Sequence, residues 1–365
     1  MNGPIGIVVF DITLSAGTER ATVNLANTLA KKGHEVTIIS IGTKEGVPFY
    51  TPDEKVSIIH LGLVPSARLW KRFLFNYFFV GRKLLALTQN RRWTLLGTSH
   101  AINFILATVK MMRPSNYCIG CEHISYASIP GYSRKVRSRL YRKLDAVVVL
   151  TESDRQKYSA EDKLENCVVI PNQIPFYPDK AADYSSRNLL AIGRFTYQKG
   201  FDLMLPLVQG PLQLHKDWSL TIIGEGEMKD QLQVTIAELG LKSQVRLMPP
   251  TRDILNEYQK SSVYLMSSRF EGLPMVLLEA KACGLPIIAY DCPTGPREVI
   301  MPDDGILVEM NDHKHFMEAI LELMENEDQR TKLGSQGRIN VLKFGPENIY
   351  QKWSNLLNRL YAGNN

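Results

Sequence analysis

Long apolar runs, a cysteine framework and low-complexity tracts are all missing from this sequence. No stretch of about 18 uncharged apolar residues occurs, so no transmembrane helix is expected. The opening Met-Asn-Gly-Pro-Ile-Gly-Ile-Val-Val-Phe lacks the basic segment and cleavage site of a signal peptide and reads as a buried first strand. Cysteine is scarce. Five residues, an odd number without framework spacing, suit a reducing cytoplasm. Cys118-x-x-Cys121 has no second pair, which is too little for a zinc or redox motif. No Asp-x-Asp signature sits at an expected metal loop, so neither a metal nor a cofactor is expected.

What is present is ordinary for a globular enzyme: 44% hydrophobic and 22% charged residues over 365 positions, enough for two cores. Charge is unevenly spread. Residues 1–173 carry a net +10 and residues 174–365 a net −4, which points to an anionic partner for the first half alone.

An apolar strand, a glycine-bearing loop and a helix occur twice. Ile5–Phe10 leads through Ser15-Ala16-Gly17 into Glu19–Lys32. Asn188–Ile192 leads through Gly193–Gly200 into a helix from Phe201. Strands alternating with helices imply parallel sheets covered on both faces. The restart near residue 188 predicts an α/β fold of two domains. The Pro171–Pro175 segment, with two prolines, is the linker candidate. The expected division is 1–173 and 174–345, with a last helix of about 346–365 returning to the first domain.

The sharpest motif runs from Arg269 to Ala280. It follows a strand and opens a helix near Pro274, a favoured first-turn residue. Backbone N–H groups around Gly272, Leu273, Pro274 and Met275 would face outward beside a positive helix end, where an anion or sugar hydroxyls bind. Glu271 and Glu279 would address one ligand from different distances. The second motif, Gly193 to Gly200, lies at the carboxyl end of a strand, where open α/β sheets bind ligands. Its Arg194 and Lys199 supply two positive charges for a diphosphate. In the matching first-domain loop, Gly17 allows a close backbone approach. Arg20 reads equally as a phosphate ligand or a helix-surface ion pair.

These motifs resemble those of the family-four retaining glycosyltransferases of GT-B architecture, which bind a nucleotide sugar between two facing Rossmann-like domains. The resemblance spans nearly the whole chain. The family's Glu-x7-Glu element matches Glu271 and Glu279, and its Gly-Arg…Lys-Gly element matches Gly193, Arg194, Lys199 and Gly200. It also takes in Ile223–Gly226, Cys292–Glu298 and Asp304–Val308. The resemblance implies that Glu279 binds the ribose, Glu271 the transferred sugar, and Arg194 and Lys199 the diphosphate, with the Gly17 amide also touching it. His123, after a first-domain strand, would orient the sugar. Two departures stand out: Ala16 replaces the first glycine of a common pair, and Pro249-Pro250 replaces a glycine after the Val245 strand.

The expected activity is therefore retaining, metal-independent transfer of a hexose or N-acetylhexosamine. UDP is the expected base, and the acceptor a glycan or lipid-linked glycan of surface polysaccharide biosynthesis. A GT-B sugar-nucleotide epimerase or hydrolase and a non-catalytic sugar-nucleotide-binding module are the alternatives. Residues 66–92 hold seven Lys/Arg and no acid, interleaved with Trp70, Phe73, Phe75, Tyr77, Phe78 and Phe79. A second basic stretch covers 134–143. Both suit an anionic membrane surface at the cytoplasmic face, unless the aromatics of 66–92 face the core. No nucleic-acid motif accompanies the charge.

Overall fold

The computed structural model describes residues 3–42, 45–63, 69–129 and 134–363, except the side chains of 69–77. The chain forms two compact units, one of residues 1–173 and 346–365, the other of residues 174–345.

In the first unit, strands β1 (Ile5–Val9), β2 (Val36–Ser40), β3 (Val56–His60), β4 (Thr94–Gly97), β5 (Tyr117–Cys121), β6 (Ala146–Val149) and β7 (Cys167–Val169) form one parallel sheet, ordered β3-β2-β1-β4-β5-β6-β7. The helices are α1 (Gly17–Lys31), α2 (Leu69–Leu87), α3 (His100–Met112), α4 (Arg134–Tyr141) and α5 (Glu152–Asp162). Every residue of β1, β2 and β5 is buried, as required of strands covered on both faces. Alternation sorts β1 between two cores. Ile5, Ile7 and Val9 join Val23 and Leu29 of α1, whereas Val8 joins Val80 of α2 and Ile105 of α3.

The last helix of the chain, Pro346–Ala362, packs on this unit. Its Ile349, Trp353, Leu356 and Leu357 recur at helical spacing and are buried in the α1-side core. Each such burial contributes roughly 1.5–3 kcal/mol before entropy is counted. His34 and Lys32, just past the end of α1, reach Tyr350 and Glu347 at its start, at 3.3 and 2.6 Å.

The second unit holds β8 (Asn188–Ile192), β9 (Ser219–Ile223), β10 (Val245–Met248), β11 (Val263–Met266), β12 (Ile287–Tyr290) and β13 (Gly305–Val308), parallel and ordered β10-β9-β8-β11-β12-β13. Its helices are α6 (Phe201–Leu214), α7 (Lys229–Glu238), α8 (Ile254–Gln259), α9 (Met275–Ala282), α10 (Pro296–Val299), α11 (His313–Glu325) and α12 (Glu327–Asn340); the terminal helix is α13. In each unit the strand order reverses beside the first strand, between β1 and β4 and between β8 and β11. That is the switch point at which doubly wound sheets open a crevice at their carboxyl ends.

Candidate active site

The second unit's switch point is occupied by the two motif loops. The first follows β8 and is shaped by close backbone approaches. A Cβ at Gly224 would overlap the Gly193 carbonyl oxygen, and one at Gly193 would press on the Lys199 stem. Gly200 adopts φ +65°, where a side chain is strained, and a Cβ there would overlap the Ser267 carbonyl. A short 3-10 turn, Tyr197–Lys199, thereby aims Lys199 across to the second loop. Its Nζ lies 2.7 Å from Glu271 Oε1, and Ser268 Oγ donates to the same oxygen at 2.7 Å. Arg194 is exposed beside Gln198, its Nη2 donating to Oε1 at 3.4 Å.

The second loop follows β11. Glu271 is held by a parallel bridge to Thr294: its N–H donates to the Pro293 carbonyl at 2.7 Å, and Thr294 N–H donates to its carbonyl at 2.9 Å. α9 begins at Met275, so Pro274 is the capping residue and not the first helical one. Proline has no N–H, and no side chain caps this end, so the first-turn N–H groups belong to Met275 and its successors. Gly272, Leu273 and Met275 are buried. Glu279 lies in the second turn of α9, 2% exposed, and Tyr258 of α8 donates its hydroxyl to Oε2 at 2.9 Å. Both glutamates help raise the Tyr264 phenol well above its usual range, chiefly by burial and then by their charge. Cys292 stands near Glu271 and Lys199, and burial, followed by the Glu271 charge, pushes its thiol up, which favours the protonated form.

The structure also cross-links the two loops. Arg269 donates from Nη1 and Nη2 to Oδ1 and Oδ2 of Asp202 on α6, at 2.9 and 2.7 Å, and stacks over the Tyr197 ring at 3.9 Å. Its backbone N–H donates to the Gln198 carbonyl at 2.8 Å, while Gln198 Nε2 donates to Phe270 O at 3.1 Å.

In the first unit, Gly17 is the first residue of α1 and is exposed; the helix begins two residues before the predicted Glu19. Ala16 is its cap and brings no side-chain hydrogen bond, which leaves a positive helix end after β1. Arg20 lies over the Tyr50 ring at 5.0 Å, and Tyr50 donates its hydroxyl to Ser15 O at 2.8 Å. His123 follows β5. Burial lowers its pKa to about 4, so the ring is neutral at physiological pH. Its Nδ1 is buried without a hydrogen-bond partner among the described residues. His123, Thr22, Thr98, Gln173 and Trp353 line a cavity of about 30 Å³, room for a water.

The structure thus brings Lys199 within reach of Glu271 and puts Glu279 on the adjoining helix. Gly17 and His123 stand after β1 and β5 of the other unit.

Two family models match the chain. The model for glycosyl transferases group 1 covers residues 177–340, and that for glycosyltransferase family 4 covers residues 15–175. The amylovoran biosynthesis glycosyltransferase AmsD of Erwinia amylovora is 32% identical over 360 residues, covering 96% of this chain and 99% of the relative. The chain belongs to the group 1 glycosyltransferases. A second relative is an α-1,4-N-acetyl-D-galactosaminyltransferase of Campylobacter jejuni, named for a diphospho-undecaprenol-linked GalNAc acceptor. It is 26% identical, with 94% of this chain and 95% of the relative covered. Among solved structures, a mutant of Staphylococcus aureus TarM, in complex with fondaparinux, α-GlcNAc-glycerol and UDP, superposes with a TM-score of 0.81. The identity is 15%, and 97% of this chain and 99% of that one are covered. The fold is GT-B, with a Rossmann-like sheet in each unit.

In this glycosyltransferase the Arg269–Asp202 clamp, the Tyr258–Glu279 hydrogen bond and a buried Lys281–Asp304 pair went unassigned from sequence. Arg269, Glu279 and Lys281 lie in or beside the recognised motif, but their partners are 67, 21 and 23 residues away. Spacing alone carries no signal for such pairings. A further set surrounds Glu122: Asn103 Nδ2 donates to it at 2.8 Å, and Tyr141 donates its hydroxyl. Burial raises this carboxyl to about 7.

Cys118 and Cys121 are three apart on a strand and face opposite cores, so they cannot share one metal. Among the described residues no three His, Cys, Asp or Glu side chains gather in a metal-holding group. In the 134–143 stretch Arg137 does not belong to a membrane-facing surface. It is wholly buried, its Nε donating to Asp162 Oδ2 at 2.9 Å, between the rings of Tyr126 and Tyr158. Lys135, Val136, Arg139 and Lys143 remain exposed. Residues 66–68, and the side chains of Trp70, Lys71, Arg72, Phe73, Phe75 and Tyr77, lie outside the described set. Within α2, Val80 and Leu84 are buried, while Phe78 (58%) and Phe79 (43%) are exposed near exposed Arg82 and Lys83. No described helix is long and apolar enough to cross a membrane.

Proposed function

We propose that the chain is a retaining glycosyltransferase that moves a hexose or N-acetylhexosamine from a UDP-sugar to a glycan or lipid-linked acceptor in surface polysaccharide biosynthesis. The observation that carries this reading is the Lys199–Glu271 pair at the carboxyl end of the second sheet, beside the uncapped start of α9. Charge develops on the diphosphate as the sugar leaves. Arg194, Lys199 and the α9 N–H groups, all of one unit, are the proposed receivers of that charge, and such preorganised charge is the usual source of rate acceleration. An ammonium has three donors, so Lys199 can keep Glu271 and still donate to phosphate. Glu271 is then held to accept hydroxyls of the transferred sugar, and Glu279 those of the ribose. In the other unit, the neutral His123 after β5 and the Gly17 amide at the start of α1 are the groups that the family resemblance assigns to the sugar and the diphosphate.

Retention proceeds by same-face attack, the leaving phosphate oxygen taking the acceptor's proton as the new glycosidic bond forms. The positive groups of the site supply the electrostatics that a divalent cation would otherwise provide, so transfer is metal-independent. AmsD and the Campylobacter relative, by name, support an acceptor in polysaccharide or lipid-linked glycan synthesis. The exposed Phe78, Phe79, Arg82 and Lys83 of α2, with the cations of α4, support docking on the anionic inner face of the plasma membrane.

The test is transfer from a UDP-sugar to a lipid-linked acceptor with NMR assignment of the new linkage. An anomeric configuration matching the donor, with the rate unchanged in EDTA, is expected; an inverted linkage overturns retention. Failure to float with anionic vesicles at low salt overturns the membrane reading.

A further inference from the structure

We propose that Tyr258 is a positioning residue for the nucleotide: its hydroxyl holds the Glu279 carboxylate in the rotamer that receives the donor's ribose hydroxyls. The inference rests on the reading of Glu279 as the ribose ligand.

Tyr258 is wholly buried on α8, with its ring 6.0 Å from that of Tyr264 and 6.2 Å from that of Phe176. Packing alone would be served by phenylalanine. The hydroxyl instead reaches two acceptors on α9, Glu279 Oε2 at 2.9 Å and the Val276 carbonyl at 3.3 Å. A tyrosine carries one proton, and the shorter, charge-assisted bond takes it. The anchor is itself braced. Gln259 Nε2, one residue on, donates to the Lys180 carbonyl at 2.9 Å, and Asp183 N–H donates to the Gln259 carbonyl at 3.0 Å.

A glutamate has three side-chain torsions to fix before it can accept a diol. Held from behind at Oε2, Glu279 has little freedom left to lose when the nucleotide binds, and preorganisation of this kind is gained as affinity. Ribose contacts are the same in ground and transition states, so the effect belongs to binding and not to the chemical step.

The experiment is Tyr258→Phe, titrated calorimetrically with UDP and with 2′,3′-dideoxy-UDP beside the wild type, with donor kinetics in parallel. The wild type is expected to prefer UDP over the dideoxy analogue. In Tyr258→Phe that preference should shrink roughly tenfold, the worth of one hydrogen bond to a charged group, while dideoxy-UDP binds as before. In kinetics the loss should fall on the donor KM and not on kcat. A general packing defect would weaken both ligands alike, so equal losses overturn the inference, as does an undiminished preference in the variant. If the wild type binds both ligands equally, the ribose reading of Glu279 fails first, and a thermal melt checks that the variant is folded.

Discussion

Replacing Lys281 with methionine isolates an ion pair whose energetics are unusually clear. Lys281 and Asp304 have fully buried side chains, with Nζ 2.5 Å from Asp304 Oδ2 and 2.7 Å from the Val299 carbonyl, to which it donates. Asp304 also accepts from Asn340 Nδ2 at 2.7 Å and from the Met301 N–H at 2.9 Å. Burial lowers the Lys281 pKa and the Asp304 partnership opposes that fall, so the pair persists because each charge answers the other. Methionine matches the aliphatic stem but leaves a buried carboxylate with only neutral donors. Breaking a buried pair from one side costs about 3–5 kcal/mol. For a unit of this size each kcal/mol moves the melting temperature by roughly 2–4 °C, so a loss of roughly 6–20 °C is expected. The assay is thermal and urea unfolding read through the second unit's own transition, because two units need not unfold together. Lys281→Met combined with Asp304→Asn should recover part of the loss, since the orphaned charge is then gone. A single variant costing less than about 1 kcal/mol would refute the reasoning.

Three further outcomes follow from the geometry. Burial holds Glu122 up at about 7 against an ordinary 4.5, so the folded state favours its protonated form. The stability this gives is complete below pH 4.5 and is lost as pH rises through 7. It amounts to about 3 kcal/mol, and a Glu122→Gln melt across pH 4–8 should lack that fall. Arg269→Ala removes the clamp between the two motif loops, so kcat/KM should drop at least about tenfold through misplacement of Lys199 and Glu271. The melting temperature should change little, because this pair is partly exposed. Gly200→Ala should destabilise the second unit by roughly 2 kcal/mol or more in denaturant titration, from positive φ and overlap with the Ser267 carbonyl.

The α/β class was legible because both strand–glycine loop–helix units sit at corresponding places in the chain, and parallel strands buried on both faces read as continuous Ile/Val runs. Lys199 and Glu271 were legible as motif positions, though not as an ion pair. Helix ends shifted by one or two residues at Gly17 and Pro274, since glycine and proline signal a helix start without saying which side of the cap they occupy. Arg137 misled because its surroundings in sequence are basic and exposed, while its own partner, Asp162, lies on another helix. Asp202 and Tyr258 carry no local signal, and Asp304, though inside the recognised Asp304–Val308 stretch, carries none for its pairing with Lys281; only the crossovers of the sheet bring the three to their partners.

The central claim, that Arg194, Lys199, Glu271 and Glu279 form a nucleotide-sugar site, is tested most directly by a thermal-shift screen of UDP-, GDP- and ADP-sugars on the wild type, Arg194→Ala and Glu279→Ala. A ligand at one hundred times its Kd stabilises by about 2.7 kcal/mol. A clear rise in the wild type with UDP-sugar that both variants lose is expected. A rise that survives intact in both variants would contradict the claim, by placing the nucleotide elsewhere.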